Sequence, residues 1–196
     1  MNVTLASGNP HKLRELRALL PQWRIEALDA TRMPEETGET FYANARLKAR
    51  FARAVGGGEA WALGEDSGLE VNGLHGRPGI RSARYAGVDA SDEENLTRLL
   101  EDLGGVEGEG RQARYVCELV LLSPARVEFR GTGTLEGRIG KEPRGTGGFG
   151  YDPIFVPDDE TTTVAELGDA WKAANSHRAR AVAALLATVG SAAREG

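Results

Sequence analysis

The sequence predicts an α/β chain, and three patterns predict it. Residues 2–6 form a short apolar run that passes through a glycine turn into a helix-forming segment. The run Trp61-Ala62-Leu63 reads as a buried strand and stops on Glu65 and Asp66. Residues 113–122 and 127–135 alternate as the longest pair of strands, joined at Ser123-Pro124-Ala125, and form the backbone of the sheet. A chain of 196 residues suffices for one large domain or two closely joined lobes.

The first element, residues 2–6, is a strand with Val3, Leu5 and Ala6 apolar. Ser7-Gly8-Asn9-Pro10-His11-Lys12 follows, with Leu13, Leu16, Leu19 and Leu20 at helical spacing. Asn9 suits the N-cap and Pro10 the first helical position. A tight turn into a capped helix gathers free N–H groups and the positive end of the dipole, which is an anion site, with Lys12 one turn in. Any strand-to-helix junction shares some of this, and the glycine spacing is not that of a P-loop. Residues 24–28 read as a second strand. Pro34-Glu35-Glu36-Thr37-Gly38-Glu39-Thr40 is an acidic loop in which Thr40 or Glu39 caps a helix over residues 41–55, stopped by Gly56-Gly57-Gly58. On that helix Phe41, Ala45, Ala49 and Ala52 share a face, with Asn44 and Lys48 on the adjacent one.

Adjacent carboxylates at the end of a buried strand cost desolvation energy unless a cation or donors compensate. Glu65 and Asp66 are therefore candidates for holding a metal or acting as a base, although Asp-Ser-Gly also makes an ordinary turn. The strand resumes over residues 69–71, and a Gly/Pro-rich loop with Arg81, Arg84 and Tyr85 follows. Ser91 and Glu94 form a capping box ahead of a helix ending near Gly104-Gly105. Cys117 reads as a buried small side chain. Gly145-Thr146-Gly147-Gly148-Phe149-Gly150-Tyr151-Asp152-Pro153 places aromatics and an acid inside a glycine loop, either a platform for a nucleobase or an irregular surface loop. Residues 163–167 start a short turn or helix before Lys172. Asn175 or Ser176 caps a final helix whose first turn holds His177 and Arg178, pointing outward against the dipole. Residues 191–196 read as a flexible tail.

Composition removes several classes. The net charge of −5 argues against a protein that coats nucleic acid. No apolar run reaches membrane-spanning length, and the first residues lack a signal peptide's basic segment and apolar core. One cysteine excludes an intramolecular disulfide and fits a reducing cytoplasm, and with three histidines it disfavours a zinc site.

Several motifs occur in order: Ser7-Gly8-Asn9 with Lys12, Glu35-Glu36-Thr37-Gly38 with Thr40-Phe41, Asn44-Ala45 and Lys48-Ala49, Glu65-Asp66-Ser67-Gly68-Leu69, Pro78-Gly79-Ile80-Arg81-Ser82-Ala83-Arg84-Tyr85, Gly147 to Pro153, and Ser176-His177-Arg178. Together they resemble the inosine triphosphate pyrophosphatase (Ham1-like) family over nearly the whole chain. The resemblance implies a two-lobed α/β fold over residues 1–190, with a long twisted mixed sheet flanked by helices and an active-site cleft between the lobes. It implies a cytoplasmic homodimer with no nucleic-acid or membrane partner. The implied activity is Mg²⁺-dependent hydrolysis of ITP, dITP and XTP to monophosphate and pyrophosphate, with Mn²⁺ able to substitute. By motif position Ser7, Gly8, Asn9, Pro10, His11 and Lys12 bind the triphosphate, aided by Lys48. Asp66 is the base and a metal ligand, Glu35 a second ligand, and Ser67 touches substrate. Phe149, Gly150, Tyr151, Asp152, Lys172, His177 and Arg178 form the nucleoside pocket. Two departures from the family pattern stand out: Ala43 replaces a usual Glu, and Trp171 precedes Lys172 in place of Glu. A Maf-like pyrimidine nucleotide pyrophosphatase and a non-catalytic nucleotide-binding module are the rival readings.

Overall fold

The computed structural model describes residues 1–28, 33–56 and 59–195. Six strands form one mixed sheet: β1 (Asn2–Ala6), β2 (Arg24–Ala27), β3 (Trp61–Val71), β4 (Gln112–Leu122), β5 (Glu128–Ile139) and β6 (Phe155–Pro157). Their order across the sheet is β2-β1-β3-β4-β5-β6. β1 pairs in parallel with both β2 and β3, and β5 pairs antiparallel with β6. The helices are α1 (Pro10–Leu19), α2 (Phe41–Val55), α3 (Asp92–Asp102), α4 (Val164–Asn175) and α5 (His177–Glu195).

Capping chemistry sets the helix starts. Asn9 Oδ1 accepts the N–H groups of His11 and Lys12 at 2.8 and 3.3 Å, and Pro10 follows without a donor to leave orphaned. Thr40 accepts from Ala43 at 3.1 Å to start α2. Ser91 with Glu94, and Thr163 with Glu166, form reciprocal capping boxes for α3 and α4. Each cap contributes about 1 kcal/mol. The turn or helix expected from residue 163 is α4, which bends at Gly168, where φ is 81°. Gly56 closes α2 through Ala52 O at 2.8 Å, while Gly57 and Gly58 lie outside the described residues. α5 runs on to Glu195, so the chain is helical where a tail is expected; Gly196 lies outside the described residues.

The chain divides into two units: Met1–Asp66, Cys117–Gly133 and His177–Gly196 in the first, Ser67–Val116 and Thr134–Ser176 in the second. β3, β4 and β5 each contribute residues to both. In the first unit, Leu5, Leu16, Leu20, Leu63, Leu119, Leu121 and Leu185 bury one face, and Ala6, Ala45, Ala49, Ala52 and Ala62 form a tight small-residue layer on another. The second unit packs Leu69, Leu99, Leu103, Tyr115, Ile139, Tyr151 and Phe155.

One expectation fails here, and it matters for the site. The turn read into Glu65-Asp66-Ser67-Gly68 does not exist, because β3 is one unbroken strand of 11 residues. Gly64 is present for packing. A Cβ there would strike the α2 backbone at Ala45 and Ala49, so the glycine lets the alanine face of α2 lie directly on the strand.

Candidate active site

Side chains alternate across a strand, so an unbroken β3 sends Glu65 and Asp66 to opposite faces. Ala62, Gly64 and Asp66 face α2, while Leu63 and Glu65 belong to the other side. The two carboxylates are adjacent in sequence and do not act as a pair.

Glu65 is fully buried. Its Oε2 meets Lys12 Nζ at 2.8 Å, and its Oε1 accepts from Arg178 Nη2 at 2.9 Å and from the Cys117 thiol at 3.6 Å. Arg178 is 1% exposed and also binds Glu15. Burial pushes Glu65 toward the neutral form, but Lys12, Arg178 and Lys48 outweigh it, and the carboxyl is held well below the usual range. Arg178 loses solvent too, yet Glu65 leads a set of partners that raises its pKa. Burial and then Glu65 push the Cys117 thiol well up, so this cysteine is no nucleophile.

Asp66 is 4% exposed and differently surrounded. Lys48 Nζ sits 2.8 Å from Asp66 Oδ1, 2.6 Å from Glu36 Oε1 and 3.1 Å from the Glu65 carbonyl oxygen. Asn44 donates to Asp66 Oδ2 at 3.3 Å and accepts the Gly38 N–H at 2.8 Å, tying the acidic loop to the strand. Burial dominates at Asp66, against Lys48 and Lys12, and its pKa ends above the ordinary aspartate value. Burial opposes the Lys48 ammonium, but Asp66, Glu36 and Glu65 prevail and raise its pKa. Asp66 is thus a buried carboxylate with only part of its charge compensated. It can accept a proton or a further cation.

Lys48 marks where two carboxylates converge on one positive charge. Among the described residues no three His, Cys, Asp or Glu side chains gather to hold a metal alone. A divalent ion resting on Asp66 and a neighbouring carboxylate would take its other ligands from substrate phosphates or water, the habit of Mg²⁺.

In the second unit Asp152 is the hub of another buried cluster. Its Oδ2 accepts from Lys172 Nζ at 2.7 Å and from the Phe149 N–H at 2.9 Å, and its Oδ1 from the Tyr115 hydroxyl at 3.2 Å. The Lys172 ammonium lies 4.6 Å from the centre of the Phe149 ring. Gly148 has a φ of 74°, and a Cβ there would strike the Asp152 carboxylate, so the loop closes on the acid only with glycine at this position. Gly150 N–H donates to Asp92 at 2.8 Å.

Some expected site residues thus sit together: in the first unit Lys48 with Asp66, and Asn9 with Lys12, whose ammonium lies on Glu65; in the second Phe149, Asp152 and Lys172. Ser7 braces the first turn by accepting the Asn9 N–H at 3.2 Å, and His11 shares a 2.8 Å hydrogen bond with Arg14. Other residues are placed differently. Glu35 is exposed, and Glu36 is the loop carboxylate on Lys48. Tyr151 is 4% exposed and packs in the core, its hydroxyl on the Ser82 carbonyl. His177 and Arg178 are buried, not outward-pointing, and Arg178 tolerates the α5 dipole because two carboxylates compensate it. Sequence reasoning assigned no role to Asn44, Glu36, Glu15 or Tyr115. The first carried a signal, its spacing of four from Lys48. Glu15 lies one helical turn from Lys12, and nothing local marks Tyr115.

A family model described as the Ham1 family matches residues 3–188. The chain belongs to the Ham1 family. A dITP/XTP pyrophosphatase of Bdellovibrio bacteriovorus is 44% identical over 193 residues, covering 95% of this chain and 96% of the relative. One from Escherichia coli K12 is 47% identical over 190 residues, covering 94% and 95%. Among solved structures, the Staphylococcus aureus Ham1 protein superposes with a TM-score of 0.83 at 36% identity, covering 97% of this chain and 99% of that one. Family membership leaves the Maf-like reading without support.

Proposed function

We propose that this chain hydrolyses ITP, dITP and XTP to the nucleoside monophosphate and pyrophosphate, clearing deaminated purines from the nucleotide pool. The observation that carries the reading is Asp66, buried beside Lys48 and under-compensated, in a chain similar over 94% of its length to a dITP/XTP pyrophosphatase.

In the proposed reaction a water oxygen attacks the α-phosphorus and the bridge to the β-phosphate breaks. Pyrophosphate leaves in line, and the water proton passes to Asp66. Lys12, Lys48 and the positive end of the α1 dipole at Asn9 face the phosphate oxygens, where fixed positive charge stabilises the transition state. Asp66 and a second carboxylate would hold Mg²⁺ or Mn²⁺, which when bound neutralises phosphate charge and polarises the reacting phosphoryl group. The motif places that second ligand at Glu35, whereas the 2.6 Å contact of Glu36 with Lys48 supports Glu36.

At the purine end, Phe149 offers a ring and the loop offers N–H groups. Inosine and xanthosine carry an oxygen at C6 where adenosine carries an amino group, so a donor aimed there separates them. Arg178 is held by Glu15 and Glu65, which supports His177 or a loop N–H as that donor. A site that hydrogen-bonds its substrate in this way rejects the wrong partner by roughly 10⁴ to 10⁵. A cytoplasmic homodimer with no nucleic-acid or membrane partner belongs to the same reading. The net charge of −5 speaks against a nucleic-acid partner, and among the described residues no helix is long and apolar enough to cross a membrane.

The test is product analysis with dITP, XTP, dATP and dGTP in the presence of Mg²⁺. The expected result is pyrophosphate as first product, with dITP and XTP preferred. Orthophosphate as first product, or equal turnover of dATP, overturns the reading.

A further inference from the structure

The segment Pro78 to Tyr85 carries none of the roles assigned so far. Residues Gly79–Arg84 form a 3₁₀ turn in the second unit, and Ser82 is its buried residue, 8% exposed. The Ser82 hydroxyl accepts the Leu69 N–H at 2.8 Å and donates to the Gly79 carbonyl at 2.6 Å. Its main-chain carbonyl accepts the Tyr151 hydroxyl at 2.8 Å. Leu69 lies in β3, three residues beyond Asp66, and Tyr151 lies between Phe149 and Asp152. One serine therefore joins the strand that carries the proposed base to the loop that carries the proposed purine contacts.

This joint is drier than the loop's tie to α3. Gly150 donates to Asp92, which is exposed, so that bond competes with water. The Tyr151–Ser82 and Leu69–Ser82 bonds are buried and do not. Burial also raises the Tyr151 pKa, which keeps the phenol a neutral donor.

We propose that Ser82 is a positioning residue for purine recognition, fixing Phe149 and Asp152 through Tyr151. The inference rests on the proposed dITP pyrophosphatase function. Ser82 touches no substrate; it acts by setting where the Phe149-to-Asp152 loop is held. Losing its hydroxyl frees the turn at Leu69 and Gly79, and the carbonyl that anchors Tyr151 moves with it.

Ser82→Ala is the direct test, with Tyr151→Phe cutting the same joint from the other side and Ser82→Thr restoring a hydroxyl. For Ser82→Ala, KM for dITP is expected to rise roughly fivefold, the worth of one net hydrogen bond. The kcat stays within about twofold, since the loss falls on binding. Ser82→Thr restores KM. The double variant raises KM no further than either single one, because both act on one joint. In the unliganded protein, amide hydrogen exchange over residues 147–152 quickens in Ser82→Ala. Unchanged exchange overturns the proposal, as does faster exchange with KM unmoved, which makes Ser82 structural only. If Ser82→Ala does not fold, Tyr151→Phe carries the same two readouts. Failure of the wild type to release pyrophosphate from dITP overturns the functional reading itself, and this inference with it. A wild type that turns over normally beside an unaffected Ser82→Ala overturns only the inference.

Discussion

Glu65 and Asp66 share a peptide bond and a strand, and each is almost completely buried, yet they sit in opposite electrostatic surroundings. Glu65 meets Lys12 and Arg178 and is held ionised well below the usual range. Asp66 shares Lys48 with Glu36 and is pushed toward its neutral form. Alternation along β3 produces the difference: one residue's step turns the side chain from the α5 side to the α2 side. The lesson is a division of labour. Glu65 neutralises two buried cations, while Asp66, proposed above as the base, keeps a raised pKa.

The largest effect that can break this division is on stability at Glu65. Glu65→Gln leaves Lys12 and Arg178 facing a neutral amide, and unfolding in urea is expected to show a loss of about 3–5 kcal/mol. A variant as stable as wild type would remove Glu65 from its structural role. Next is the metal. Glu36→Gln is expected to raise the half-saturating Mg²⁺ concentration roughly tenfold, with a smaller change for Glu35→Gln. The reverse order would return the second ligand to Glu35.

Asp66→Asn sharpens the contrast through its stability. A folded-state pKa above the unfolded one means that the native state binds the proton more tightly. Ionisation of Asp66 at neutral pH therefore costs stability on its own side, while Lys48, whose pKa Asp66 raises, returns part of it. Urea unfolding of Asp66→Asn is expected to show a far smaller loss than Glu65→Gln. The smallest effect is at Cys117, where Cys117→Ala is expected to cost about 1 kcal/mol of stability without changing kcat. In the native wild type the buried thiol should resist labelling reagents. Rapid labelling would show that the Glu65 side opens to solvent.

Much of the fold was legible because helix starts are local chemistry. Asn9-Pro10, Thr40 and the Ser91 to Glu94 box mark starts that the structure confirms. The alanine face of α2 was readable from its spacing, and its burial extends to Asn44 and Lys48. What sequence patterns missed depends on long-range contact. Gly64, Ser67 and Gly68 resemble turn residues, and only the close approach of α2 shows why a glycine sits in mid-strand. Tyr151 resembles a stacking residue because it lies in a glycine loop, but its ring faces the core and its hydroxyl reaches Ser82. Arg178 looked exposed because its compensating carboxylates are 163 and 113 positions away in the chain. Charge compensation across such distances leaves no local spacing to read.

The most direct test of the division on β3 is pyrophosphate release from dITP by Asp66→Asn, measured with Mg²⁺ and normalised to folded protein. With Asp66 as the base, the variant stays folded and its turnover falls roughly 10³-fold. Turnover near the wild-type rate in folded Asp66→Asn would contradict the assignment and move the chemistry elsewhere.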